Sequence, residues 1–114
     1  MSPITTHILD TALGRPAAGV AITLSLHEAG GAPRELGRGT TDADGRIKTL
    51  LPDNHALTPG VYRMFFDIAG YQRAQGAKGF YPSVTIDFEI VETKQHYHIP
   101  LLLSPFGYST YRGS

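Results

Sequence analysis

The chain has 114 residues, of which 41% are hydrophobic, and its ten basic residues balance ten acidic ones. This length suits a single domain, residues 1–114, with a modest hydrophobic core. Zero formal charge argues against nucleic acid as a partner, because phosphate binding relies on an excess of Lys and Arg. The absence of cysteine excludes disulfides and thiolate chemistry.

The first residues lack the basic start and apolar run of a signal peptide. No stretch of the chain approaches the ~18 apolar residues that a membrane span needs. We therefore expect a cytoplasmic protein without a membrane partner.

Short alternating segments make up the first half of the chain. Residues 4–10 are β-prone and are followed by turn-forming residues at 14–19. Residues 20–26 have the period-2 pattern of a half-buried strand, with one apolar face made of Val20, Ile22, Leu24 and Leu26. A loop at residues 30–33 and a short strand at residues 36–41 follow.

The second half begins with a turn at residues 41–46. Gly45 can take a positive φ cheaply there, and Asp42 or Asp44 can bond back to the local backbone. A connection with two prolines leads to an aromatic-rich strand at residues 60–67. Residues 69–77 are the only predicted helix, and it is short because glycines flank it. Strands at residues 83–92, 96–103 and 108–111 complete the pattern.

Seven or eight short strands separated by turn clusters predict an all-β fold, an antiparallel β-sandwich. No internal repeat, low-complexity segment or interior linker divides the chain. These observations favour one domain.

Four segments resemble the 5-hydroxyisourate hydrolases of the transthyretin-like family, in the family's order and spacing. They are THILDT at 6–11 with GRPA at 14–17, TDADGR at 41–46, YHIPLLLSP at 97–105 and YSTYRGS at 108–114. The Tyr-Arg-Gly-Ser ending is the feature that separates the hydrolases from the hormone-carrying transthyretins.

The resemblance implies a transthyretin-like sandwich of two four-stranded sheets, with one short helix between the fifth and sixth strands. It also implies a homotetramer, a dimer of dimers, whose active sites lie in clefts where the two dimers face each other. The composition by itself shows none of this assembly.

Histidine is the side chain that gains or loses a proton near neutral pH without special tuning, and the chain has five. Taken alone, a structural or surface role suits His7 better than a catalytic one. The resemblance reverses that preference and makes His7 and His98 the catalytic candidates. His96 shares a strand face with His98 and is interpreted as a solvated neighbour. His27 and His55 match no motif.

A His-x-His pair on one strand with a third histidine elsewhere is a possible zinc set. The sequence has no His-Glu-x-x-His helix, no cysteine ligand and no carboxylate at an obvious ligand spacing. We therefore expect no functional metal and no cofactor.

Arg46 would be a solvated residue after a turn if the resemblance were set aside. The implied substrate, 5-hydroxyisourate, is a planar ring with several carbonyls, and a guanidinium offers planar, paired donors to such an edge. In the family the tail folds into the cleft, so Tyr111, Arg112 and Ser114 are substrate-binding candidates. Ser114 lacks a Gly-x-Ser-x-Gly elbow and is expected to position substrate and not to be acylated.

The implied reaction is attack of water on a ring carbonyl, giving 2-oxo-4-hydroxy-4-carboxy-5-ureidoimidazoline. His7 and His98 would handle the protons, one accepting from water and one orienting or donating, and the sequence leaves open which is the base. Arg46 would bind the substrate and stabilise charge on the carbonyl oxygen.

Two other classes of function remain open. The same sandwich can serve as a non-enzymatic, transthyretin-like carrier that binds an aromatic small molecule. A structural, adhesion or carbohydrate-binding sandwich is a third class. The combination of His7, Arg46 and the Tyr-Arg-Gly-Ser tail favours the hydrolase over both.

Overall fold

The computed structural model describes residues 2–28 and 31–114. Its elements, in chain order, are β1 (Ile4–Asp10), β2 (Arg15–Pro16), β3 (Ala21–His27), β4 (Arg34–Thr40), β5 (Gly60–Asp67), α1 (Ile68–Ala74), β6 (Ser83–Ile90), β7 (Tyr97–Ser104) and β8 (Gly107–Thr110). No helix of the described residues is long and apolar enough to cross a membrane.

The strands form two four-stranded sheets, with the orders β2-β1-β7-β8 and β4-β3-β5-β6. Every neighbouring pair is antiparallel except β1 and β7, which run parallel with Ile4 opposite Tyr97 and Asp10 opposite Leu103. The predicted sandwich of two four-stranded sheets with one helix is confirmed. The parallel pair is a detail that alternation along single strands does not reveal.

The core lies between the two sheets and follows from strand alternation. The apolar face predicted for residues 20–26 is fully buried, and the intervening residues of β3 face outward. In β1 the buried and half-buried residues also alternate, which turns Ile4 and Ile8 into the core. The half-buried residues of β1 therefore share the outer face of their sheet, and that face carries the candidate site.

Helix α1 begins one residue before the predicted start and ends three residues before the predicted end. The side chain of Asp67 caps it by accepting a hydrogen bond from the backbone N–H of Gly70 at 3.1 Å. Because the capping residue, Asp67, is also the last residue of β5, the helix begins at the next residue, Ile68.

Of three predicted turns and loops, one is wrong in part, one lies partly outside the described residues and one is confirmed. The segment predicted as a turn after β1 contains the two-residue strand β2, because Pro16 pairs with Leu9. The predicted loop at residues 30–33 lies partly outside the described residues. Gly45 has a φ of +74°, as the turn pattern predicted.

Candidate functional site

A tight turn fixes the start of the segment that carries Arg46. The Asp42 carboxylate accepts hydrogen bonds from the backbone N–H groups of Asp44 and Arg46, at 2.9 and 3.1 Å. The bond from Arg46 is the main reason why the pKa of Asp42 lies below its ordinary value. The predicted turn bonding is thus confirmed, and Asp42 is the residue that provides it.

The same turn lies against β1. The Gly45 carbonyl accepts the backbone N–H of Ile8 at 2.9 Å, and Arg46 forms an antiparallel bridge with His7. A Cβ on Gly45 would lie 2.5 Å from the Ile8 carbonyl oxygen and 3.3 Å from Cδ2 of His7. Only glycine fits this approach, so Gly45 brings the backbone of Arg46 next to that of His7.

The parallel register of β1 and β7 sets the histidines beside each other. Thr5 pairs with His98 and His7 pairs with Pro100, so all of them belong to one face of the sheet. The Thr5 hydroxyl lies 2.8 Å from Nδ1 of His98 and 3.0 Å from Nε2 of His96. The two catalytic candidates therefore occupy adjacent strands, with Thr5 linking His98 to His96.

The end of the chain returns to β7. The backbone N–H of Gly113 donates to the carbonyl of His98 at 2.8 Å, and the two residues form an antiparallel bridge. A Cβ on Gly113 would lie 2.5 Å from Cδ2 of His98. The tail therefore packs directly on the His98 imidazole, at a position where only glycine fits.

A cavity of about 500 Å³ opens over these residues. Its walls consist of Thr5, Thr6, Arg46, Ile47, Lys48, His96, His98 and Ser114. Two of the three residues predicted as catalytic, Arg46 and His98, share this cavity with the predicted substrate-binding Ser114. His7 lies beside the cavity, bridged to Arg46, and does not line it.

The surroundings of His98 favour its neutral form. Burial is the largest cause that lowers its pKa, followed by the positive charge of Arg46 and by His96 and His7, while a hydrogen bond with the Thr5 backbone acts in the opposite direction. The net pKa lies below the ordinary 6.5, so the imidazole is uncharged at neutral pH. A neutral imidazole in a polar cavity can accept a proton from water.

Tyr111 and Arg112 lie outside the main cavity. They line an adjacent hollow of about 270 Å³, which His98 also borders. The Arg112 guanidinium lies 4.5 Å from the centroid of the Tyr97 ring and donates to Gln95 at 2.8 Å. Within one chain, the two predicted tail residues thus flank the site through His98 and do not enter it.

Metal binding was the alternative interpretation of the histidines. Across residues 2–28 and 31–114, no three His, Asp or Glu side chains are arranged to hold a metal ion. Hydrolysis without a metal stays a prediction.

Sequence reasoning missed four residues of the cavity, namely Thr5, Thr6, Ile47 and Lys48. Thr5 is an ordinary strand residue in sequence, and only its pairing with His98 reveals its position. Lys48 follows Arg46 by two residues, so alternation beyond the turn could have placed both on one face. His96 was predicted as a solvated neighbour; it is exposed, yet it also lines the cavity and contacts Thr5.

Comparisons with known proteins find one family over nearly the whole chain. The HIUase/Transthyretin family matches residues 4–113. The 5-hydroxyisourate hydrolase of Mus musculus is 46% identical, covering 99% of this chain and 96% of the relative. That of Caulobacter vibrioides is 45% identical over the full length of both.

Solved structures give the same fold with two different functions. The 5-hydroxyisourate hydrolase of Klebsiella pneumoniae is 36% identical with a TM-score of 0.82, covering 97% of this chain and 98% of that one. Sea bream transthyretin in complex with thyroxine is 37% identical with a TM-score of 0.89, covering 97% and 94%. The matches in sequence and fold both span nearly the whole chain, and the chain belongs to the HIUase/Transthyretin family.

Proposed function

We propose that this chain hydrolyses 5-hydroxyisourate to 2-oxo-4-hydroxy-4-carboxy-5-ureidoimidazoline in urate degradation. Its relatives at about 45% identity carry the name of that enzyme. The observation that carries the proposal is the meeting of His98, Arg46 and Ser114 at one cavity of about 500 Å³. That cavity combines a proton acceptor with a fixed cation, as ring-opening by water requires.

His98 is the proposed base. Its lowered pKa keeps the imidazole neutral at pH 7, and its Nδ1 is held by Thr5 at 2.8 Å. In the proposed step His98 takes a proton from water, and the water oxygen attacks a ring carbonyl of the substrate. General-base help of this kind accelerates a reaction about 100- to 10,000-fold.

His7 is the proposed second member of the proton-handling pair. It lies on the strand next to His98 and bridges to Arg46 through the backbone. In this position it orients the substrate or donates a proton to the departing ring nitrogen. Addition of water gives a tetrahedral intermediate; as its C=O bond re-forms, the ring C–N bond breaks and the nitrogen leaves with the donated proton.

Arg46 is proposed to bind the substrate and to stabilise the negative charge that develops on the carbonyl oxygen. Its guanidinium presents planar, paired donors, which suit a flat ring edge with several oxygens. Lys48 lines the same cavity and adds a second positive charge. Donors fixed before the reaction stabilise such charge without reorganising during it.

The carrier alternative gives no role to the two basic residues that line the cavity, Arg46 and Lys48. A pocket for an apolar aromatic ligand needs only a small number of polar or charged groups. The fold cannot decide between the two functions, because both occur on it at TM-scores above 0.8.

We further propose that the protein works as a homotetramer, a dimer of dimers, with its sites at the dimer–dimer interface. The cavity lies on an outer sheet face, and β6 and β8 are edge strands of their sheets among the described residues. Tyr111 and Arg112 stand at the border of the site in one chain, so assembly would be needed to close it around the substrate. The mass of the protein in solution tests this.

The function is tested by generating 5-hydroxyisourate from urate with a urate oxidase and following its ultraviolet absorbance. We expect the wild-type chain to speed the decay far beyond the spontaneous rate and His98→Gln to remove most of that gain. His55→Gln, outside the cavity, is the matched control and should behave as wild type. Normal kcat in His98→Gln would remove His98 from the mechanism. Saturable binding of an iodinated aromatic without catalysis would favour the carrier.

A further inference from the structure

One hydroxyl group, that of Thr5, lies within hydrogen-bond distance of two imidazoles. Its Oγ1 is 2.8 Å from Nδ1 of His98 and 3.0 Å from Nε2 of His96. The bond to His98 is fixed by the sheet, because Thr5 and His98 pair directly between β1 and β7. His96, just before β7, reaches the same oxygen from an exposed position.

The proton count restricts how these two bonds can form. A threonine hydroxyl has one proton to donate, and a neutral imidazole has one N–H and one lone pair. Thr5 can therefore donate to only one of the two rings and must accept from the other. Either Thr5 donates to His98 and accepts from His96, or it accepts from His98 and donates to His96.

The two arrangements leave His98 with opposite chemistry. If Thr5 donates to Nδ1, a neutral His98 carries its proton on Nε2 and offers no lone pair beyond Thr5. If Nδ1 donates to Thr5, Nε2 keeps its lone pair. Among the described residues, no side-chain hydrogen bond occupies Nε2 of His98, and the residue lines the cavity. Only the second arrangement gives a base that can act on water.

We propose that Thr5 is a positioning residue whose hydroxyl donates to His96 and accepts from Nδ1 of His98, which holds His98 in the tautomer with a free Nε2 lone pair. The choice of this arrangement rests on the proposed function; the two contacts of Thr5 do not. His96 then accepts the hydrogen bond that the Thr5 hydroxyl donates.

The tautomer can be read directly by long-range proton–nitrogen NMR on the full chain with ¹⁵N-labelled histidine. His98→Gln identifies the His98 signals by their loss. In the wild type we expect a proton on Nδ1 of His98 and none on Nε2. Thr5→Val, which removes the hydroxyl and keeps the shape, should shift His98 toward the Nε2–H form. Thr5→Ser should retain the wild-type tautomer.

Thr85→Val is the matched control, because Thr85 is an exposed residue of β6 away from the cavity. It should leave the His98 spectrum unchanged. The proposal is overturned if wild-type His98 carries its proton on Nε2, or if Thr5→Val leaves the tautomer as it is in wild type.

Kinetics supply the second measurement. Thr5→Val should lower kcat about 10- to 100-fold with little change in KM, toward the low end of what a general base contributes. Thr5→Ser should recover most of the loss. If the wild type itself fails to hydrolyse 5-hydroxyisourate, the proposed function fails, and the NMR spectra still decide whether Thr5 sets the tautomer.

Discussion

The backbone N–H of Gly113 donates to the carbonyl of His98 at 2.8 Å, so the last residues of the chain are held against the strand that carries the proposed base. This contact allows no side chain at residue 113, where a Cβ would lie 2.5 Å from the imidazole. The tail is therefore part of the wall that fixes His98.

Gly113→Ala should displace the His98 ring and lower kcat. The expected loss is about 100-fold, the cost of misplacing a catalytic group by roughly 1 Å. Steady-state kinetics on 5-hydroxyisourate measure it. Gly107→Ala is the control, because a Cβ there meets nothing closer than 3.6 Å among the described residues. Equal activity in the two variants would show that the tail does not constrain His98.

The fall of kcat/KM at low pH should reflect the protonation of His98. Because its pKa lies below 6.5, the fraction of neutral base rises with pH and exceeds one half at neutrality. We expect kcat/KM, which reflects groups of the free enzyme, to fall only below pH 6.5 as the ring is protonated. A midpoint at or above 6.5 would contradict this assignment.

Arg46 should influence both catalysis and the pH at which kcat/KM falls to half. Its positive charge is the second-largest cause that lowers the pKa of His98, after burial. Arg46→Ala removes the charge, so the pKa of His98 should rise. The fall of kcat/KM at low pH should then move to higher pH. Arg46→Lys keeps the charge and should leave the low-pH fall of kcat/KM near its wild-type position.

The same pair of variants separates charge from geometry in binding. Arg46→Lys loses the planar paired donors, and we expect kcat/KM to fall about 100- to 1,000-fold, the cost of losing one transition-state donor. Wild-type kcat/KM in Arg46→Lys would mean that a point charge is sufficient at this position.

Stability depends on a buried contact far from the cavity. The Tyr71 hydroxyl donates to the Asp10 carboxylate at 2.7 Å, and the two residues are only 4% and 8% exposed. Tyr71→Phe should reduce the free energy of unfolding by about 1.5–3 kcal/mol, the range for a hydrogen bond to a charged group. Denaturant unfolding measures it, with Tyr81→Phe as the exposed control. An unchanged midpoint would show that the bond contributes nothing.

The same contact predicts an alkaline effect. Burial, followed by the bond to Asp10, raises the pKa of Tyr71 from 10.0 to about 12. Folding thus favours the protonated phenol, and its contribution is complete below pH 10 and lost as pH rises through about 12. Tyr71→Phe should flatten the pH dependence of stability in that window. The same slope in wild type and variant would exclude Tyr71 as its source.

Much of the fold could be predicted because single strands display their own burial pattern. The alternation of Val20, Ile22, Leu24 and Leu26 identified a buried face before any partner strand was known. Strand direction was not predictable in this way, since alternation is identical for parallel and antiparallel neighbours. The two residues of β2 are too few to show any period.

The site was predictable only where a motif marked it. His98, Arg46 and Ser114 belong to segments that resemble the family, and they share the cavity. Thr5 became visible only through its register with His98. Tyr111 and Arg112 were expected in the cleft. In one chain they line the neighbouring hollow, where Arg112 contacts Tyr97 and Gln95.

The most direct test of the central claim is the absorbance decay of freshly generated 5-hydroxyisourate with the full chain and with a chain that ends at Thr110. Both proteins are first shown to be folded by cooperative unfolding. We predict decay far faster than the spontaneous rate with the full chain, and decay near that rate without residues 111–114. Spontaneous decay with the folded full chain, or undiminished catalysis by the shortened one, would contradict the account.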